Sequence, residues 1–364
     1  VTEPLLGKVP AAFNAGVNDV LLTALAIAVA DWRRTSGRGE GSAVLVDLEG
    51  HGREELVDGV DLSRTVGWFT SKYPVRLDPG AAPVAELHTG GAAIGAALKA
   101  VKEQLRALPD KGIGYGMLRH LNPQTARALA RYAEPQIGFN YLGRLSTSAG
   151  SAQDDGAPVF RHDMEGVPEA GLALPHALDV NARAVTHPDG LRLAVSLTWP
   201  KELFSDEEML RLARGWFTAL EALVVHVDGT AAGGLSPSDL SLVQVTQAEI
   251  EELEAAQPDL VDVLPLSPLQ EGLLFHARYD DRGADVYNVQ MALDLRGELD
   301  ADRLKDSVRA VLGRHDNLRA AFLPGSSGQS LQVIAREVEL PWEEVDLSDL
   351  AGAEQEAALT RLLT

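Results

Sequence analysis

The stretch Ser42-Ala43-Val44-Leu45-Val46-Asp47-Leu48 runs directly into Glu49-Gly50-His51-Gly52-Arg53-Glu54. Its first part is short, apolar and rich in valine and leucine, which predicts a buried β-strand. Its second part places charged groups where that strand ends, and two glycines permit a tight turn or the close approach of another group. Two interpretations stay open: the turn is a polar connection with a glycine kink, or Glu49 is a catalytic carboxylate presented into a cleft.

The composition is that of an acidic globular chain without cysteine. It has 364 residues, of which 45% are hydrophobic, and a formal charge of -21 from 32 basic and 53 acidic residues. This length predicts two domains or parts of domains. The acidic balance argues against a nucleic-acid partner, which binds a basic face. No apolar run approaches the ~18 residues of a membrane span, and no signal peptide is evident. The lack of cysteine excludes disulfides and thiolate chemistry and fits a cytoplasmic protein.

Hydrophobic periodicity predicts helices and strands on both sides of the turn. Asn18 or Asp19 is expected to cap the first helix. Ser267 and Pro268 are expected to begin a later one, and a Gly/Ser/Pro-rich linker is expected from residue 231. Helices are predicted over residues 18–32, 92–108, 206–228, 247–256 and 300–315 and near the end of the chain, and strands over residues 64–75, 134–144, 178–184, 191–199, 286–295 and 318–322.

A glycine-rich loop, Pro109-Asp110-Lys111-Gly112-Ile113-Gly114-Tyr115-Gly116, follows the second of these helices. A phosphate cradle would need a Gly-Lys-Ser/Thr sequence after it, and none follows. We therefore expect a loop that passes close to other backbone.

Five strings, in order along the chain, resemble the motifs of epimerization domains of nonribosomal peptide synthetases. One such string would be weak evidence, whereas five in the expected order make chance agreement negligible. They lie at residues 19–24, 49–54 (Glu-Gly-His-Gly-Arg-Glu), 64–75 (beginning Arg-Thr-Val-Gly-Trp-Phe-Thr), 109–116 and 139–144 (Phe-Asn-Tyr-Leu-Gly-Arg).

A second resemblance, to the start of a condensation domain of the same synthetases, covers the end of the chain. It rests on residues 267–276 and on Arg-His-Asp-Asn-Leu-Arg-Ala-Ala-Phe at 314–322, where Asp316 replaces the usual glutamate and Ala320 the usual threonine. Together the resemblances imply an α/β (α+β) fold of chloramphenicol acetyltransferase-like lobes, each a mixed sheet flanked by helices. They divide the chain into an epimerization-domain C-terminal lobe (1–230), an interdomain linker (231–260) and a truncated condensation-domain N-terminal lobe (261–364).

The resemblance implies L-to-D inversion of an aminoacyl or peptidyl thioester, followed by peptide-bond formation in the next module. The substrate would be carried on the 4'-phosphopantetheine of a carrier protein, and peptidyl carrier protein domains upstream and downstream would be the partners. No cofactor or metal is expected to bind directly, and neither nucleic acid nor a membrane is an expected partner. Inversion needs a base, an acid on the opposite face and stabilisation of an enolate-like oxygen. By resemblance Glu49 takes one proton-transfer role, with Asn140 and Tyr141 close to the site.

The other proton-transfer role belongs, by the same resemblance, to a His-His-x-x-x-Asp-Gly motif. The chain contains no adjacent pair of histidines, so we expect the epimerization motif before Val1, the condensation motif after Thr364, and no activity from the chain alone. His51 and Arg53 are expected to hold the turn, Trp68 and Tyr73 to form core or tunnel wall, and the other histidines to be solvated or buried in the core. Two alternatives stay open, a condensation-only domain and a non-catalytic scaffold that docks a carrier protein.

Overall fold

The structure is a computed structural model that describes residues 1–54, 58–145, 174–229, 233–279, 289–325 and 328–362. The chain divides into two compact units, Val1–Asp239 and Leu240–Thr364. Across the described ranges, no helix combines the length and the apolar character needed to cross a membrane.

The first unit is built on a five-stranded mixed sheet in the order β2-β1-β3-β4-β5. Strands β1, β3 and β4 run parallel, whereas β2 and β5 pair antiparallel at the two edges. The strands are β1 Val44–Gly50, β2 Ser71–Leu77, β3 Ile137–Leu145, β4 Leu178–His187 and β5 Gly190–Thr198. The helices are α1 Thr2–Leu6, α2 Lys8–Ala12, α3 Val17–Thr35, α4 Val84–Leu87, α5 Ala92–Arg106, α6 Pro123–Leu129 and α7 Asp206–Val227.

Helix α3 lies in the centre of the hydrophobic core, as its apolar sequence from residue 20 to residue 29 predicts. It packs against α7, where the indole nitrogen of Trp216 donates to the carbonyl of Leu21 at 3.0 Å. The expected cap is different in detail. Gly16 occupies the cap position, and Asp19, three residues later, accepts the Gly16 N–H at 2.7 Å. The buried carboxylate of Asp19 also accepts from Arg106 at 3.0 Å, which fixes its position.

The strands separate an apolar face from a polar face. Leu48, Phe139 and Val180 are register partners on β1, β3 and β4, and all three belong to the core. Side chains alternate across a strand, so the residues on either side of these three point to the opposite face. That face carries Asp47 and Glu49 on β1, Gly138 and Asn140 on β3, and Asp179 and Asn181 on β4.

A buried lysine ties the end of the first unit to its helices. The ammonium of Lys102, on α5, is 1% exposed and donates to both carboxylate oxygens of Asp239 at 2.7 Å and to the carbonyl of Phe13 at 2.8 Å. The neighbouring Glu103 accepts from Ser236 and Ser238. Much of the segment that we expected to begin the linker therefore packs within the first unit, while residues 231 and 232 lie outside the described ranges.

The second unit contains a three-stranded antiparallel sheet in the order β6-β8-β7. Ser267 begins a helix as expected, since its hydroxyl accepts the Gln270 N–H at 3.3 Å. The elements are α8 Gln247–Ala256, β6 Leu260–Pro265, α9 Pro268–Tyr279, α10 Ala301–Arg314, β7 Ala320–Pro324, β8 Ser330–Ala335 and α11 Ala353–Leu362.

Three strand predictions need correction. The strand expected over residues 64–75 begins only at Ser71, and residues 64–70 form an exposed irregular segment in which Trp68 is 92% exposed. The strand expected over 318–322 begins at Ala320, after a 3-10 turn, Asp316–Arg319. Of the strand expected over 286–295, residues 286–288 lie outside the described ranges, and residues 289–295 are exposed and not in a strand. Alternation alone does not make a strand without a partner to complete its hydrogen bonds.

Candidate active site

The structure brings Glu49 and Asn140 together on the polar face of the sheet. Glu49 is the penultimate residue of β1 and is exposed, and the side-chain amide of Asn140 donates to its Oε2 at 2.8 Å. Among the described residues, Asn140 is the one hydrogen-bond donor to this carboxylate. A hydrogen bond to a carboxylate is charge-assisted, so it fixes the side chain without supplying a counter-charge.

The turn after Glu49 is held by backbone contacts. The guanidinium of Arg53 donates to the carbonyls of Leu62 and Thr65, the latter at 2.8 Å, and stacks 4.4 Å from the centre of the Phe69 ring. Gly52 has a φ of +68°, and a Cβ there would lie 1.4 Å from the carbonyl oxygen of Phe69, so only glycine fits. The turn is thereby fastened to the exposed segment that carries Trp68.

The remaining polar side chains of the turn, His51 and Glu54, also have partners. His51 accepts the Arg53 backbone N–H through Nδ1 at 3.0 Å, and its Nε2 lies 3.4 Å from Glu54. The carboxylate of Glu54 accepts from the ammonium of Lys111 at 2.7 Å. His51 and Arg53 thus hold the turn as expected, and Glu54, unlike Glu49, is paired with a lysine.

The glycine-rich loop comes close to a side chain rather than to backbone. A Cβ on Gly112 would lie 2.3 Å from the ring of Tyr73, so the loop rests directly on that ring. Tyr73 is partly buried against the core, which agrees with its expected place in a wall. Burial, with a smaller contribution from the nearby carboxylate of Glu54, raises the pKa of the Tyr73 hydroxyl.

Tyr141 lies on the other side of the sheet from Glu49. It is the register partner of the fully buried Ala182, and it packs, partly buried, against the hydrophobic core. Burial raises the pKa of its hydroxyl. The structure therefore joins Asn140 but not Tyr141 to Glu49, because adjacent residues of a strand face opposite ways. A part for Tyr141 in the chemistry stays a prediction.

A buried histidine, His176, lines the same cavity as Glu49 and makes contacts that the sequence did not predict. His176 precedes β4, with Nδ1 2.6 Å from Asp179 Oδ1 and Nε2 2.9 Å from Asp47 Oδ2. The ring lies over Gly138, where a Cβ would come within 2.6 Å of Nδ1. The expectation that His176 is solvated or in the core overlooked these two ion pairs. The available signals were an aspartate, Asp47, in an otherwise apolar strand and a glycine, Gly138, at the second position of another.

These polar residues surround a small cavity of about 60 Å³. Its lining includes Asp47, Glu49, Lys72, Asn140 and His176. A larger cavity of the first unit, about 480 Å³, is lined by Val44, Ile137 and Leu178 at the starts of β1, β3 and β4, among others, and contains none of the predicted site residues. Within the described ranges, no three His, Cys, Asp or Glu side chains are grouped to hold a metal ion.

The chain matches the family described as "Condensation domain" over residues 2–239 and 261–364. The chain belongs to the condensation-domain family. This condensation-family chain is 38% identical over 368 residues to a linear gramicidin synthase of Brevibacillus parabrevis and 31% identical over 360 residues to bacitracin synthase 3 of Bacillus licheniformis. The alignments cover 100% and 98% of the chain but 7% and 5% of the relatives, so the chain spans a small part of each synthase.

Two solved structures are also similar to this condensation-family chain. The epimerization domain from the third module of tyrocidine synthetase B is 33% identical, with a TM-score of 0.46 over 62% of the chain and 46% of that domain. The first condensation domain of the CDA synthetase is 18% identical, with a TM-score of 0.34 over 61% of the chain and 44% of that domain. The resemblance to synthetase domains of the epimerization and condensation type is confirmed by the family match and the synthase relatives. With it comes the chloramphenicol acetyltransferase-like fold, observed here as a mixed sheet flanked by helices.

Proposed function

We propose that the first unit forms one wall of an epimerization site, in which Glu49 transfers the α-proton of an aminoacyl or peptidyl thioester. The observation that carries this proposal is the contact between an exposed Glu49 carboxylate and the neutral amide of Asn140 at 2.8 Å. A carboxylate held by an amide keeps a fixed position and can still bind and release a proton. The carboxylate of Glu54, by contrast, is paired with the ammonium of Lys111 at 2.7 Å.

The reaction needs two proton-transfer groups, and this chain supplies one of them. A thioester on the phosphopantetheine arm of a carrier protein acidifies the α-carbon, and one group must remove the proton while another returns one to the opposite face. Glu49 supplies one of these groups. The other is the histidine that the resemblance assigns to a His-His-x-x-x-Asp-Gly motif, which this chain does not contain. We therefore expect no α-proton exchange by the chain alone, and solvent deuterium uptake by a carrier-bound substrate on it would contradict this.

Epimerization is favoured over a condensation-only first unit by two strings of sequence. Glu-Gly-His-Gly-Arg-Glu supplies Glu49, Phe-Asn-Tyr-Leu-Gly-Arg supplies Asn140, and the two residues meet although 91 positions separate them. The second unit is proposed to be the start of the condensation domain of the next module, which would form a peptide bond to the inverted residue. A scaffold that only docks carrier proteins is the alternative, and it gives no reason for the Glu49–Asn140 contact.

Glu49→Gln in the synthetase that contains this chain tests the proposal. General acid–base catalysis contributes roughly 10²- to 10⁴-fold, so we expect the D-configured fraction of the carrier-bound product to collapse. Glu54→Gln is the matched control, since it removes a carboxylate of the same turn that is already paired. Normal D-to-L ratios from Glu49→Gln, measured by chiral analysis of the released product, would overturn the assignment.

A further inference from the structure

Lys72 is placed to pair with Glu49 and does not do so. The two residues are register partners on β2 and β1, and opposite charges at directly opposed positions of an antiparallel pair attract one another. The ammonium of Lys72 instead lies 3.0 Å from Oδ2 of Asp47, the residue two positions before Glu49 on the same face. The cation that is the register partner of the proposed acid–base carboxylate is therefore held by a neighbouring aspartate.

Asp47 is itself fixed by a buried chain of ion pairs. Its Oδ2 lies 2.9 Å from Nε2 of His176, whose Nδ1 lies 2.6 Å from Asp179. A neutral imidazole has a single N–H, so both ring nitrogens can donate to carboxylates only when the ring is protonated. The side chains of His176 and Asp47 are 7% and 12% exposed, so the arrangement is largely shielded from solvent. Asp47 thus lies between the imidazole of His176 and the ammonium of Lys72, which fix its orientation.

We propose that Asp47 is a positioning residue that holds Lys72 away from Glu49, so that Glu49 faces the neutral Asn140 amide and keeps its proton-transfer capacity. This inference rests on the proposed function of Glu49. The charged groups that line the cavity beside Glu49 are Asp47 on β1, Lys72 on β2, His176 before β4 and Asp179 on β4. An ammonium within about 4–6 Å favours the ionised form of a carboxylate and weakens it as a base. The contact of Lys72 with Asp47 therefore leaves the Glu49 carboxylate facing the neutral Asn140 amide rather than an ammonium.

Asp47→Asn in the intact synthetase should free Lys72 to pair with its register partner. The expected results are a fall of about tenfold in kcat for inversion, little change in KM for the carrier-bound substrate, and a shift of the acidic limb of the pH–rate profile to lower pH by roughly one unit. The limb moves down because an added cation stabilises the ionised carboxylate against protonation.

The second variant, Asp47→Asn with Lys72→Gln, separates this mechanism from a loss of folding. Removal of the lysine should restore both kcat and the position of the acidic limb, which a purely structural defect would not do. Asp179→Asn gives a matched control, since it loosens His176 but leaves the Asp47–Lys72 contact, and it should leave the acidic limb in place. An unchanged profile in Asp47→Asn, no rescue by Lys72→Gln, or an equal limb shift in Asp179→Asn would overturn the inference.

The outcomes also distinguish this inference from the proposed function. Normal inversion by Glu49→Gln would overturn the proposed function of Glu49, and with it the inference about Asp47. Loss of inversion in Glu49→Gln together with an unchanged pH profile in Asp47→Asn would overturn the positioning role of Asp47 and leave the proposed role of Glu49 in place.

Discussion

Two charged turns of this chain differ in how far their charges satisfy one another. In the second unit, the guanidinium of Arg319 is buried and donates to the carbonyls of Ala335, Leu312 and Gly313 at 2.6–2.8 Å and to Asp316 at 2.5 Å. In the first unit, Arg53 holds its turn in a similar way, yet Glu49 is exposed, and its hydrogen-bond donor among the described residues is the neutral amide of Asn140.

The difference separates a structural turn from a candidate reactive one. Both turns carry the strings on which the family resemblance depends, so the resemblance alone does not say which holds the fold and which performs chemistry. A charge that is matched at each of its hydrogen-bonding positions contributes to stability. Among the described residues, Glu49 has a neutral amide as its hydrogen-bond donor, whereas Asp316 is paired with Arg319, and this contrast supports the proposed role of Glu49.

The largest effect is expected from Arg319→Met, which should lower the free energy of unfolding of the second unit. A buried polar group that loses its partner costs about 1–3 kcal/mol, and the carbonyls of Ala335, Leu312 and Gly313 would all lose their donor. We expect a loss of this order in the free energy of unfolding of the second unit, measured by native-state hydrogen exchange of β7 and β8. Arg309→Met, which breaks an exposed pair with Asp306 on α10, should change it by about 0.5 kcal/mol or less. Equal effects of the two variants would show that the Arg319 network is not structural.

A smaller effect is expected from Asn140→Leu, which removes the amide that fixes Glu49. A hydrogen bond to a charged group is worth roughly 1.5–3 kcal/mol, so inversion should slow by about 10- to 100-fold. The folded state should change little because Asn140 is on the polar face of β3. The measurement is single-turnover inversion of a preloaded carrier, which separates chemistry from carrier binding. A wild-type rate would contradict a positioning role for Asn140.

The smallest effect is expected from Tyr141→Phe. The hydroxyl belongs to a side chain that packs against the core on the opposite face from Glu49, so its removal should change the barrier to inversion by no more than about 0.6 kcal/mol, which is about threefold in rate. Inversion should therefore slow by about threefold or less in the same single-turnover assay. A loss of 100-fold would instead place the Tyr141 hydroxyl at the reacting thioester.

Local sequence patterns predicted the long helices of both units. Helix α8 has the predicted bounds, and α3, α5 and α7 differ from their predicted bounds by a few residues. Strands β6 and β8 were not predicted, because their pairing with each other brings together residues about 70 positions apart. Residues 289–295 alternate like a strand without forming one, which shows that a strand needs a partner as well as a pattern.

The candidate site was predictable only in part. The resemblance grouped Glu49 with Asn140, and the parallel register of β1 and β3 places them together. The Asp47–His176–Asp179 chain was not predictable, since His176 is 129 positions from Asp47 and its ring lies where Gly138 leaves space. A contact of this kind depends on the register of three strands, which single-residue patterns do not specify.

The most direct test of the central claim is deuterium exchange at the α-carbon in the synthetase that contains this chain, with Glu49→Gln compared with wild type in D₂O. Two proton-transfer groups on opposite faces of the substrate predict an asymmetric result. The variant should lose inversion from both enantiomers of the carrier-bound residue. It should keep deuterium exchange from only the enantiomer whose proton faces the remaining base. Wild-type exchange and inversion from both enantiomers would contradict the assignment of Glu49.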